Sequence, residues 1–333
     1  MLNIGLIGCG MMGKVHTNAY KNLKDVDFNV KYVSDFIKEK SDFCEKELNT
    51  STATFEEIIN DEEIDVIDLC TPTYTHKDLA IKAAKKGKNI FCEKPIALNE
   101  KDAQEIIDVC KENNVKLMIG HVVRFFPEYK KAKMLIENNE IGKATIARFY
   151  RGGVYPSHGI DNWFNDLEKS GGVFVDLSIH DFDFLRTIFG EIESIEARSA
   201  KISYGNIKNF DHGTAILKFK NGKIAHVEGS WAEPENMPIN FKTDYEIFGD
   251  DGMLNYDSEK SLTFRIQKNK QYTRMNPSNI NPYMEEIKAF LLSIINNEEP
   301  PVSGEEALKS LKVALAANKS AKEKRTICFE EMN

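Results

Sequence analysis

The 333-residue chain is short of several things, and each shortage argues against a class of protein. Its six cysteines, Cys9, Cys44, Cys70, Cys92, Cys110 and Cys328, include no C-x-x-C pair. Zinc-knuckle and dithiol-redox spacings are therefore absent, and six reduced thiols are expected. Cations do not exceed anions: 44 Lys and Arg stand against 52 Asp and Glu, a formal net charge of -8. That balance argues against nucleic acid as a main partner, because phosphate neutralisation needs clustered cations, and against an anionic membrane surface. No apolar run reaches the roughly 20 residues that span a bilayer. Met1-Leu2-Asn3-Ile4-Gly5 lacks the basic lead-in of a signal peptide, so a cytoplasmic location is predicted. Internal repeats and low-complexity tracts are missing as well. What remains is an ordinary globular mixture, 41% hydrophobic and 29% charged. At about 100–200 residues per domain, its length suggests two domains.

Strand and helix patterns alternate over the first 120 residues. Asn3–Gly8 is a short apolar run, after which Met12, Val15, Ala19 and Leu23 recur at helical spacing. Strands are predicted at Val30–Asp35, Ile64–Thr71, Asn89–Cys92 and Lys116–Gly120, with helices between them. Such alternation implies a parallel sheet with helices on both faces. Asp68 disturbs the pattern, because a doubly covered strand should be apolar; it calls for a hydrogen-bond partner that the sequence does not name. After Gly120 a helix is predicted at Glu128–Asn138. Strand-like runs then follow at Ala144–Tyr150, Ile192–Ala200, Thr214–Phe219, Ile224–Ser230, Tyr245–Phe248 and Leu262–Ile266. Asn221-Gly222 is a hairpin signal, and Tyr155-Pro156-Ser157-His158-Gly159 reads as a turn. Two amphipathic helices end the chain.

Gly8-Cys9-Gly10-Met11-Met12-Gly13 is a G-x-G-x-x-G string between a predicted strand and a predicted helix, the context in which it binds a dinucleotide. The first glycine permits the tight turn, the second lets backbone approach the pyrophosphate, and the third allows close helix–strand packing. The helix N-terminus adds free N–H groups and a positive dipole end. Asp35 ends the second predicted strand, about 20 residues beyond Gly13, where a carboxylate accepts from the ribose hydroxyls and repels a 2′-phosphate. NAD is therefore favoured over NADP, with Lys38 and Lys40 near enough to blur the preference.

Two further elements carry chemistry. Cys92-Glu93-Lys94-Pro95 follows a predicted strand, and ligands of doubly wound sheets bind beyond the carboxyl ends of strands. Farther on, Ser170-Gly171-Gly172 precedes Asp176 and His180. Four residues apart on a helix, these two share a face, so the carboxylate could orient the imidazole. With these residues the sequence resembles the glucose-fructose oxidoreductase / inositol dehydrogenase (Gfo/Idh/MocA) family over essentially its whole length. The resemblance rests on Gly8–Gly13, Thr71-Pro72 with His76, Glu93-Lys94-Pro95, Arg124-Phe125, and Gly171-Gly172 followed by Asp176 and His180. It implies that Lys94 contacts substrate and supports proton transfer, and that Asp176 and His180 form an acid/base pair. Thr71, Pro72, His76 and Glu93 would lie on the cofactor side. Arg124, Trp163 and Tyr283 would border the substrate. For His76 a capping or packing role is the competing reading, for Arg124 an ordinary ion pair, and for Tyr283 core packing. No metal is predicted: Asp176, His180 and Asp181 could be drawn as ligands, but hydride transfer needs none.

The expectation is thus an α/β protein. Residues 1–120 would form an N-terminal Rossmann domain with a doubly wound parallel sheet. Residues 121–333 would form an α+β domain with an open, mainly antiparallel sheet, the last helix packing back on the first domain. The function implied is NAD-dependent hydride transfer to or from a cyclic polyol or sugar. Two other readings stay open, a redox-assisted glycoside-cleaving or eliminating enzyme and a non-catalytic nicotinamide-state sensor. The wide sheet predicts self-association, and the resemblance implies a homo-dimer or homo-tetramer.

Overall fold

In the computed structural model, which describes residues 1–157, 159–202, 208–260, 262–276 and 279–332, the chain divides into two units. The first comprises residues 1–122, 158–163 and 281–311, and the second 123–157, 164–280 and 312–333. His158, in the turn read at Tyr155–Gly159, lies outside the described residues.

The first unit runs β1 (Leu2–Ile7), α1 (Met11–Asn22), β2 (Phe28–Ser34), α2 (Lys38–Leu48), β3 (Ser51–Thr52), α3 (Phe55–Asn60), β4 (Val66–Leu69), α4 (His76–Lys85), β5 (Asn89–Glu93), α5 (Glu100–Glu112) and β6 (Leu117–Gly120). Its six strands are parallel, in the order β3-β2-β1-β4-β5-β6. The order reverses beside β1, so the carboxyl ends of β1 and β4 flank the crevice where such sheets take ligands. Local chemistry agrees with these boundaries. Thr54 and Glu57 close a capping box at the start of α3, and Asn99 caps α5.

Of the apolar residues Met12, Val15, Ala19 and Leu23 that recur at helical spacing, Ala19 and Leu23 are buried. Met12 and Val15 stay half-exposed, while Gly13, His16, Thr17 and Tyr20 join Ala19 on the buried face. Polar side chains win there because they find partners: His16 and Tyr20 both reach the carboxylate of Asp68 on β4. That also supplies the partner Asp68 called for.

The second unit runs α6 (Pro127–Glu137), β7 (Ala144–Val154), α7 (Leu167–Ser170), a π-helical turn (Phe174–Ser178), α8 (Ile179–Phe189), β8 (Ile192–Ala200), β9 (His212–Phe219), β10 (Ile224–Glu233), β11 (Phe241–Gly249), β12 (Gly252–Asp257), β13 (Leu262–Gln267) and β14 (Tyr272–Met275). Two helices follow, α9 (Pro282–Ile295) and α10 (Gly304–Glu323), then β15 (Ile327–Cys328). Nine strands form one sheet in the order β14-β13-β12-β11-β7-β10-β9-β8-β15. Its pairs are antiparallel except β7 with β10, which is parallel, so the sheet is mixed. The hairpin at Asn221-Gly222 joins β9 to β10, with Gly222 at φ 82°. The inner face packs on α6 and α8 through aromatic rings. Tyr129 meets Phe184 edge-on at 4.9 Å, and Phe149 stacks on Tyr245 at 5.5 Å. α9 belongs to the first unit and packs against α1 there.

Candidate active site

The three glycines of the turn differ in what surrounds them. Gly8 sits at φ +91°, and a methyl group on it would stand 2.6 Å from the carbonyl oxygen of Cys70. A methyl on Gly13 would stand 2.0 Å from the carbonyl oxygen of Gly8. Both glycines are therefore demanded by the protein's own packing. Around Gly10 such a methyl meets nothing within 4 Å. Its bare backbone answers no need inside the chain and leaves room for an external group. Gly10 is the N-cap of α1, makes no side-chain cap, and is followed by no acid in the first turn. The helix end thus presents N–H donors and positive potential with no carboxylate of its own to quench them. A dinucleotide pyrophosphate fits this cradle.

Asp35 lies just past β2. Its Oδ2 accepts from the Cys9 amide at 2.8 Å and its Oδ1 from the Ile37 amide at 2.8 Å. These bonds fix the carboxylate against the glycine turn and leave lone pairs for ribose hydroxyls. The neighbouring Phe36 is fully exposed. Lys38 is bound by both oxygens of Asp42, each at 2.8 Å.

Past β4, Thr71 and Pro72 lead into a short 3-10 turn at Thr73–Thr75. His76 is buried there. Its Nδ1 lies 2.9 Å from the Pro95 carbonyl and its Nε2 2.9 Å from the Thr71 carbonyl. Burial pushes its pKa down, the two carbonyls opposing. His76 thus lies between the Thr71 turn and the Glu93-Lys94-Pro95 turn, the neutral ring donating its one N–H to one of the two carbonyls. The Lys94–Pro95 peptide is cis. Trp163 lies edge-on to Tyr74 at 6.3 Å, beside the same turn.

Beneath these turns is a buried polar network of which the sequence reading found only Asp68 and Glu93. His16 Nδ1 lies 2.8 Å from Asp68 Oδ2, and His16 Nε2 3.0 Å from Glu93 Oε1. Tyr20 donates to Asp68 Oδ2 at 2.8 Å, and the Cys70 thiol to Asp68 Oδ1 at 3.6 Å. Burial alone would lower the pKa of His16, but the Asp68 carboxylate and the groups beside it outweigh burial and hold it well above the usual histidine range. The Tyr20 hydroxyl is pushed up by burial and by the same carboxylate. His16, Asp68 and Cys70 also bring nitrogen, oxygen and sulfur atoms within 4.8 Å of one another, a set that could ligate a metal. All three are already engaged in hydrogen bonds. Tyr283, at the start of α9 behind the Asn281 cap, places its ring 6.5 Å from His16, which puts it beside this network.

In the second unit, Gly171 and Gly172 take left-handed backbone, φ 72° and 75°. The chain then enters the π-helical turn that carries Asp176 and passes into α8, whose second residue is His180. A π-helical turn thus stands between Asp176 and His180 where plain α-helical spacing was expected, and such bulges recur at functional sites. Asp176 is 7% exposed. His180 is the only half-exposed residue in the buried run 171–180. A small pocket borders Asp176, walled by Tyr155, Phe164, Asn209, Phe210 and Trp231. Burial, with Asp211 and Asp176 nearby, pushes the Tyr155 hydroxyl up to about 12. No motif pointed to Tyr155. Arg124 binds both oxygens of Asp183 on α8, through Nε and Nη2 at 2.6 Å each, so the structure gives it the ion pair. Arg151 does the same for the buried Asp181, at 3.1 and 2.8 Å, and also reaches Tyr129. Two guanidinium clamps thus hold the helix that bears His180.

Comparison with known proteins agrees with both units. Residues 2–121 match the model of an oxidoreductase family with an NAD-binding Rossmann fold, and residues 129–255 match the GFO/IDH/MocA C-terminal domain. The myo-inositol 2-dehydrogenase of Thermotoga maritima is 30% identical over 99% of both chains. The scyllo-inositol 2-dehydrogenase (NAD(+)) of Bacillus subtilis is 30% identical over 95% of this chain and 92% of its own. Levoglucosan dehydrogenase, solved with NADH and levoglucosan, superposes with a TM-score of 0.88 over 98% of both chains at 22% identity, a likeness of fold. The chain therefore belongs to the Gfo/Idh/MocA family of NAD-dependent oxidoreductases, with the Rossmann domain first and the family's C-terminal domain after it.

Proposed function

We propose that the chain transfers a hydride between NAD and a ring hydroxyl, or the matching ketone, of a cyclic polyol or sugar. The observation that carries this reading is the placement of Asp176 and His180: a buried carboxylate precedes the one residue of its run that reaches solvent. NAD, when bound, supplies the hydride acceptor. Gly8, Gly10, Met11, Met12, Gly13, Asp35, Thr71, Pro72, His76 and Glu93 are the residues proposed to hold it, His76 and Glu93 by shaping the turns. His180 takes the hydroxyl proton, and Asp176 stabilises the imidazolium that forms. The Lys94 ammonium stabilises the developing alkoxide. Trp163 and Tyr283 of the first unit and Arg124 of the second are the further residues proposed for the substrate side. Ring polyols are the first substrates to try because both end-to-end relatives named above act on inositols.

The test is NADH formation with NAD and a panel of inositols, hexoses and their derivatives, repeated with NADP. Turnover of one ring polyol class, abolished in Lys94→Ala and His180→Ala with NAD affinity kept, is the expected result. General acid–base loss alone should cost about 10²–10⁴-fold in kcat. Full activity in either variant removes that residue from its role. Tightly held cofactor with product but no net NADH would favour the eliminating reading, and NAD binding without turnover the sensor.

The sheet of the second unit exposes Ile146, Ile216 and Ile224, and Ile146 pairs with Ile224 across β7 and β10. We propose that this face joins copies of the chain into a dimer or tetramer. A monomeric mass by light scattering would refute that. Among the described residues no helix is long and apolar enough to cross a membrane. A cytoplasmic setting remains part of the proposal.

A further inference from the structure

His16 is fully buried and belongs to none of the motifs above. Each of its ring nitrogens faces a carboxylate oxygen, Asp68 at 2.8 Å and Glu93 at 3.0 Å. A neutral imidazole carries one N–H and could serve only one of them; the doubly protonated ring serves both. The Cys70 sulfur lies 3.2 Å from Nδ1, and the rings of Phe91 and Tyr283 pack at 5.5 and 6.5 Å. The other oxygen of Glu93 accepts from the amide of Lys94 at 3.2 Å. Gly120 crowds the same carboxylate, since a methyl there would stand 3.3 Å from Glu93 Cδ. Contacts therefore run unbroken from α1, the helix opened by the glycine turn, through one imidazolium and one carboxylate to the backbone of Lys94.

We propose that His16 is a positioning residue for Lys94. By holding Glu93, it sets where the Lys94 backbone sits relative to the helix that receives the pyrophosphate. The dinucleotide end and the lysine then keep one fixed spacing within the first unit. The proposal rests on the reading of Lys94 as the group that meets the substrate hydroxyl.

The test is His16→Gln, which keeps a donor but loses the charge and the second bond. Its folding is checked by circular dichroism, and kinetics are run with myo-inositol and NAD below its melting transition. The expected result is a kcat lowered about 10–100-fold, the scale of a misplaced catalytic group, with NAD affinity by titration unchanged. A lower melting temperature with kcat intact means a structural role only and overturns the proposal. Equal losses in kcat and NAD affinity also overturn it, because His16 would then serve the glycine turn. Lys94→Ala separates the two layers. Parent-like turnover in that variant overturns the lysine reading and this proposal with it. An inactive Lys94→Ala beside a fully active His16→Gln overturns only the role of His16. A crystal structure of His16→Gln decides without any substrate: a Lys94 backbone displaced by about 1 Å supports the proposal, and one superposing on the parent's overturns it. Should His16→Gln not fold, His16→Asn is judged by the same readouts.

Discussion

Gly10→Ala separates what the fold needs from what the cofactor needs. Gly10 has φ -70° and ψ -151°, extended backbone open to any L residue, and its added methyl meets no protein atom within 4 Å. On stability alone the substitution is neutral or favourable, by about 0.4–1 kcal/mol through lost freedom of the unfolded chain. The same methyl fills the space left for the pyrophosphate. Overpacking of that kind costs about 1–3 kcal/mol, which is about 5- to 150-fold in NAD affinity. Gly13→Ala is the control. Its methyl would press on backbone at 2.0 Å, so melting temperature falls whether or not NAD is present. Differential scanning fluorimetry and calorimetric NAD titration on the parent and both variants give the result. Parent-like NAD affinity in folded Gly10→Ala would refute the assignment of that space. A melting temperature collapsed as far as in Gly13→Ala would refute the steric reasoning.

Three further outcomes are expected. Asp35→Ser should narrow the preference for NAD over NADP in paired titrations, and the loss of its bonds to Cys9 and Ile37 should cost about 1–3 kcal/mol in urea unfolding; an unchanged preference removes Asp35 from the ribose site. Nitrogen NMR should find His16 doubly protonated at pH 7.5, because its folded pKa is raised above the unfolded value by Asp68 against the opposing effect of burial. The sign follows: this contribution to stability is complete below about pH 6.5, the unfolded value, and is lost as pH rises through the folded pKa. A neutral tautomer at pH 7.5 would contradict the charged network. Arg151→Met should destabilise by about 3–5 kcal/mol, because Asp181 is left buried and uncompensated; a loss below about 1 kcal/mol in denaturant melts would show the pair to be worth no more than a surface one.

The first unit was legible because its signals are local. A glycine turn, a strand ending in Asp35 and runs such as Asn89–Cys92 each carry their meaning within a few residues. The His16 network was not legible, because its members are scattered along the chain and meet only when α1 lies across β4 and β5. Asp68 was the visible half, a charge in an apolar strand. A helix that turns His16, Thr17 and Tyr20 inward beside Ala19 was the other half, and apolar periodicity hides it. In the second unit most strands with alternating faces were found. Tyr272–Met275 was missed because this edge strand buries too little to alternate, and Gly252–Asp257 was missed although Leu254 and Tyr256 alternate inward. The π-helical turn was beyond reach: two residues four apart read as α-helical until the backbone shows otherwise.

The first unit draws residues 281–311 from the far end of the chain, and this matters during translation. Ile119 donates to the Val302 carbonyl at 3.1 Å, Met118 bridges to Ser303, and Phe290 lies 5.7 Å from Phe91. At about 5–20 residues per second, the intervening residues 123–280 take roughly 8–30 s to emerge from the ribosome. Through that interval the nascent sheet lacks its partners for Met118 and Phe91 and holds an apolar flank open to solvent. The nucleotide half is therefore the first to be made and cannot be the first to finish, and a holding chaperone has its natural moment there.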